Sequence, residues 1–137
     1  MAALRSEAIK FLLPKPTIMN WYLAKIVYQI ICDKGFHTPQ FDEQLRLIYA
    51  EDDLHAFYKA RLIGEHEDDR FLNHINKPVH WKFIDVSEIH KLDNLADGAE
   101  MYSRINEEPE PENFINVTRR KATHLLEDCT YQTIKLN

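Results

Sequence analysis

Residues 20–32 read NWYLAKIVYQIIC, an almost unbroken apolar run interrupted in its middle by Lys25 and Gln29. The position of those two polar side chains separates helix from strand. At a period of two, Tyr22, Ala24, Ile26, Tyr28, Ile30 and Cys32 share one face. Trp21, Leu23, Lys25, Val27, Gln29 and Ile31 share the other. The first face is wholly apolar and the second holds both polar residues, as a strand with one core-facing side requires. A helix would scatter the same apolar set around its circumference. The run is also too short and too polar to cross a bilayer, which takes ~20 apolar residues. The spacing therefore predicts a strand whose Tyr22/Ile26 face packs on a helix and whose Lys25/Gln29 face points away from it. An ammonium is rarely buried unpaired, so Lys25 is expected to reach water or to pair with an acid on a neighbouring strand, with Glu43 and Glu100 as candidates.

The rest of the chain supplies partners for that strand. After the loop DKGFHTPQ, residues 41–50 (FDEQLRLIYA) alternate Leu45, Leu47 and Tyr49 with Gln44 and Arg46. The short connection favours an antiparallel hairpin. EDDLHAFYKARLIGE then predicts a helix over about 52–63. Asp52 or Asp53 suits its N-cap or first turn. Ala56, Phe57, Ala60 and Ile63 form a narrow stripe, and Gly64 fits the position just past the end. EHEDD follows as an acidic loop. Residues 71–74 suit a short strand. VHWKFIDV at 79–86 suits a longer one, SEIHKL a turn or short helix, and AEMYSRIN at 99–106 a further strand. EEPEPEN is an acidic linker, residues 114–128 a C-terminal helix, and CTYQTIKLN a tail with weak strand character. Residues 2–13 carry Leu4, Ala8, Phe11 and Leu12 at helical spacing and end at Pro14.

The order strand, strand, helix, strand, strand, with flanking N- and C-terminal helices, predicts an α+β fold. Its antiparallel sheet of about four strands is covered on one side, in two layers. Residues 1–18 read as an appendage, 19–106 as the domain, and 107–137 as linker, helix and tail. At 137 residues the chain has the size of one domain.

Bulk properties exclude several function classes. The formal net charge of −5 argues against nucleic acid, which needs a basic footprint. The opening MAALRSEAIKFLLPKP has no signal-peptide apolar region, and no membrane-spanning run occurs. Cys32 and Cys129 are far apart and in no metal-binding spacing, and Cys32 reads as a small core side chain. A cytoplasmic, reducing location is expected.

Four segments together resemble a family of short bacterial proteins known as domain of unknown function 4288. They are WYLAKIVYQI at 21–30, EQLRLIYAEDDLHAFYKARLIGE at 43–65, VHWKFIDVSEIHKL at 79–92 and GAEMYSRI at 98–105. The resemblance covers about residues 19–106 and implies a shared fold. The family has no assigned activity, so it implies no catalytic residue, ligand or cofactor.

The residues themselves carry little catalytic signal. Ser6, Ser87 and Ser103 sit in no nucleophile elbow. With three glycines there is no phosphate-cradling loop. His66 lies among Glu65, Glu67, Asp68 and Asp69, but neighbours along a loop do not converge on one ion, and no HxH or HExxH pattern is present. His80 and Lys82 share one strand face, with Trp81 opposite, and His90 follows. No metal and no cofactor are predicted. The candidate binding set is Trp21, Lys25 and Gln29 on the mixed strand face, with His80 and Lys82. An aromatic ring beside polar groups on an open sheet face is the composition of a recognition surface. These features point to a non-enzymatic binding or assembly domain working through an open sheet face or edge. Its expected partner is a second copy, a dimer first, or another protein. The alternative is a small enzyme or metal-binding protein in which His66, His80 or His90 meet carboxylates in one pocket.

Overall fold

The computed structural model describes residues 18–136. The helix expected over 2–13 lies outside the described residues. The chain divides between Tyr102 and Ser103 into two compact units.

In the first unit the element order is β1 (Asn20–Cys32), β2 (Gln40–Ala50), α1 (Asp53–His66), β3 (Asp69–Leu72) and β4 (Pro78–Leu92). The strands form one antiparallel sheet in the order β2-β1-β4-β3. The fold is α+β, with a curled four-stranded sheet. β1 and β2 make the expected hairpin, with Trp21 opposite Tyr49 and Gln29 opposite Phe41. Two register shifts on the β1–β4 ladder leave Ser87 and Ile84 without a partner on β1. Extra residues of this kind bend a strand and increase its twist.

α1 begins where the sequence predicts. Asp52 is the N-cap, and its side chain accepts a hydrogen bond from the His55 N–H at 2.8 Å. Asp53 sits in the first turn, where its charge complements the helix dipole. The helix does not stop at Gly64 but runs to His66, so Gly64 is not the terminating residue expected. Ala56, Ala60 and Gly64, four apart, make a stripe of small residues buried against the sheet. A Cβ on Gly64 would lie 2.3 Å from the Phe83 ring. The buried Tyr28 hydroxyl donates to the Gly64 carbonyl at 3.1 Å. Backbone and ring thus meet at a point where only hydrogen fits.

The core lies between this stripe and the helix-facing side of the sheet. Tyr22, Ala24, Ile26 and Tyr28 of β1 pack with Ile48, Ala50, Val86, Ala56 and Ala60. The largest fully buried side chains are Tyr22, Tyr28, Ile26 and Ile48. Burying a side chain of that size is worth roughly 1.5–3 kcal/mol, so β1 supplies much of the domain's stability.

Three strand expectations change. The short strand begins earlier, at Asp69 rather than residue 71. SEIHKL is neither turn nor helix, because β4 continues through it to Leu92. Residues 99–106 form no strand. Their alternation enters no ladder, although β3 pairs with only Pro78–Trp81 of β4 and leaves the rest of that side of β4 open. The acidic EHEDD loop is likewise shorter than expected, because its first two residues belong to α1.

The second unit contains α2 (Pro111–Leu136). Pro111 occupies the first helical position, where its missing N–H costs nothing. The helix is longer than the 114–128 expected. It absorbs the tail read as weakly extended, up to Leu136. No helix among the described residues is long and apolar enough to cross a membrane.

Candidate functional site

Because side chains alternate across a strand, the hairpin register decides what stands on the sheet face away from α1. Trp21 pairs with Tyr49, Leu23 with Leu47, Lys25 with Leu45, Val27 with Glu43, and Gln29 with Phe41. This outward face is largely apolar and only partly covered. Leu23 is buried, at 6% exposure, while Leu47 is 52% exposed and Trp21 39%. Phe41, Leu45 and Tyr49 are exposed as well. The Trp21 and Tyr49 rings stack at a centroid separation of 4.7 Å.

Lys25 lies on this face, opposite the helix, as its spacing predicts. Its partner is neither Glu43 nor Glu100. Glu88, directly across the β4 ladder, brings Oε2 within 3.0 Å of the Lys25 Nζ. The Glu88 carboxylate holds the Lys25 ammonium above the ordinary lysine value, although partial burial opposes this. Lys25 in turn holds Glu88 below the ordinary carboxylate value. Tyr102 places its ring 5.5 Å from the Lys25 ammonium and 5.3 Å from the His90 imidazole. His90 Nε2 is 3.6 Å from Glu88 Oε2. Both of these atoms are buried without a hydrogen bond of good geometry. The centre of the outward face is thus an ion pair with hydrogen-bonding capacity to spare, bordered by an apolar row.

The remaining sequence candidates are spread along the sheet rather than gathered. Gln29 is half-buried and stands across the ladder from Lys82, which is exposed. Trp21 is eight residues from Gln29 along β1, about 26 Å at strand rise. His80 is engaged at the β3–β4 edge. Its Nε2 meets Asp68 Oδ1 at 2.9 Å, and the Phe83 N–H donates to Asp68 Oδ2 at 2.8 Å. The Phe83 hydrogen bond, more than His80, holds the Asp68 carboxyl below its ordinary range. Asp68 therefore clasps the point where β3 begins. A groove of about 410 Å³ beside this clasp is lined by Ile31, Arg70, Phe71, Leu72, Val79 and His80. His66 ends α1, and His90 stands beside Glu88 on the outward face. The three histidines therefore do not share a pocket. Among the described residues no group of three His, Cys, Asp or Glu side chains is arranged to hold a metal ion.

On the helix side, the polar contacts serve packing. Arg61 of α1 grips Asp85 with two hydrogen bonds of 2.9 Å. Trp81 Nε1 donates to Asp42 at 3.1 Å, and Arg46 links Gln44 to Glu67 across the end of α1.

Glu88, Tyr102, Phe41, Leu45 and Leu47 are site residues that the candidate set did not contain. The signal for the leucines was their alternation with Gln44 and Arg46, which only the register with β1 could assign to the outward side. Glu88 was hidden because the bulge at Ser87 breaks the period-two count just before it.

Residues 21–103 match the family described as Domain of unknown function (DUF4288), well over half of the 137-residue chain, and the chain belongs to that family. No curated protein and no solved structure matches it.

Proposed function

We propose that this member of the family is a non-enzymatic binding and assembly domain, that it works as a homo-oligomer, and that it associates through the outward face of its sheet. One observation carries the reading: Leu45, Leu47 and Tyr49 expose a continuous apolar row beside Trp21, with Phe41 exposed beyond Glu43. Large exposed apolar patches with polar neighbours mark association surfaces. The occupant is a second copy, packed face to face at the ~10 Å spacing of stacked sheets. The Lys25–Glu88 pair supports self-association, because a two-fold axis presents each charge with its complement. A cytoplasmic location is part of the proposal and is supported by two unpaired cysteines, Cys32 and Cys129.

Analytical ultracentrifugation of Leu45→Glu/Leu47→Glu at micromolar concentration tests the reading. Loss of one two-fold contact halves the mass of a closed dimer, or of a closed tetramer built from two such contacts. The double variant should show that halving, with circular dichroism unchanged. An unchanged mass would mean that the sheet face is not the contact.

A further inference from the structure

We propose that α2 pairs with the α2 of a second copy as an antiparallel two-stranded coiled coil. The contact lies in the second unit and is separate from the sheet face. α2 is 26 residues long, yet none of its residues is buried. It contains Thr118, Thr123, Thr130 and Thr133 and the β-branched Ile115, Val117 and Ile134. A helix with so many weak formers is marginal alone in water and needs a packed face.

The face is present in the spacing. Ile115, Ala122, Cys129 and Leu136 recur every seven residues, with Thr118, Leu125 and Gln132 between them. This seam of alternating three- and four-residue steps holds no charge, and Arg119, Arg120, Lys121, Glu127 and Asp128 all lie off it. The Thr118 hydroxyl already donates to the Phe114 carbonyl at 2.9 Å. Covering it strands no donor.

Charge and size then select the direction. In a parallel pair, Lys121 would flank Leu126 of the second copy and Asp128 would flank Thr133. No opposite charges would meet, and Ala122 would face itself. In an antiparallel pair with Ala122 opposite Leu125, small fits large. Cys129 then meets Thr118, Ile115 meets Gln132, and Lys121 flanks Asp128 on both sides of the two-fold. Opposite charges at such flanking positions set partner orientation.

Cysteine chemistry in the full chain tests the arrangement. Residues 118 and 129 of one helix are eleven positions apart, about 16 Å, beyond the ~7 Å Cα reach of a disulfide. A 118–129 link therefore has to join two chains. Thr118→Cys under mild oxidation should give a dimer whose peptide map contains that link, whereas the wild type should give no 129–129 link. The same 118–129 link should form in the Leu45→Glu/Leu47→Glu background, which separates this contact from the sheet face. In that background, Lys121→Asp and Asp128→Lys should each raise the dissociation constant about tenfold. Mixed one to one, the two variants should restore pairing, because each supplies the charge that the other lacks. A 129–129 link in the wild type would overturn the direction. Absence of the 118–129 link would overturn the pairing.

Discussion

The two faces of β1 have nearly the same composition of large apolar residues and very different fates. Toward α1, Tyr22, Ala24, Ile26 and Tyr28 are all at most 2% exposed. Away from it, Leu23 is buried, but Trp21 stays partly open and its β2 neighbours Leu45 and Leu47 are about half exposed. Hydrophobicity alone does not separate them. The helix-facing side meets a row of Ala56, Ala60 and Gly64, small enough for a helix to lie close, and so Tyr22, Ala24, Ile26 and Tyr28 leave water almost completely. Among the described residues of the first unit no helix lies on the outward side, and its centre holds the Lys25–Glu88 pair with the Tyr102 ring beside it.

The sharpest way to break this comparison is truncation on each side. Ile26→Ala, on the closed face, should cost about 3–4 kcal/mol. Leu47→Ala, on the open face, should cost under ~1 kcal/mol in a sample dilute enough to be monomeric. Urea denaturation of both variants measures the difference, and equal losses would mean that the outward face is as well packed as the core.

A smaller effect probes why α1 comes so close. Gly64→Ala should destabilise by about 1–3 kcal/mol, because its methyl group overlaps the Phe83 ring. In a Phe83→Ala background the sign should reverse. With the ring gone, the alanine's better helix propensity stabilises by up to ~1 kcal/mol. A double-mutant cycle by chemical denaturation reads the coupling. Destabilisation by the same amount in both backgrounds would remove the close-approach account.

The smallest effect concerns the polar centre of the open face. Glu88 has its carboxyl held below the ordinary value of 4.5 by Lys25. Such a group contributes stability that is fully present above its unfolded value and is lost as the pH falls through and below it. Glu88→Gln should therefore lose less stability than the wild type between pH 7 and pH 3, as urea midpoints would show. An identical acid limb would mean that the pair contributes nothing to folding.

Local chemistry made part of this legible before any coordinates. The two faces of residues 20–32, the hairpin and an acidic helix start at Asp52 or Asp53 each depend on neighbours within a turn or a strand alternation. The outward position of Lys25 follows from the same count. Its partner does not. The residues without partners at Ile84 and Ser87 disturb the alternation of β4, so that SEIHKL no longer reads as a strand and Glu88 drops out of view. AEMYSRIN shows the converse, an alternating pattern that joins no ladder of the sheet. In the C-terminal tail Thr130, Thr133 and Ile134 favour strands weakly, a preference that a helix already running from Pro111 overrides.

By itself the sequence determined which residues of β1 share a side, where α1 begins, and that Ala56 and Ala60 lie on its apolar stripe. These follow from fixed backbone periods and from hydrogen bonds spanning three or four residues. Only the tertiary structure decided that β4 lies beside β1, that Glu88 rather than Glu43 or Glu100 meets Lys25, and that the leucines of β2 point outward. Each of those depends on the register between segments tens of residues apart. A shift of one residue in that register exchanges the two faces of a strand without changing its alternation.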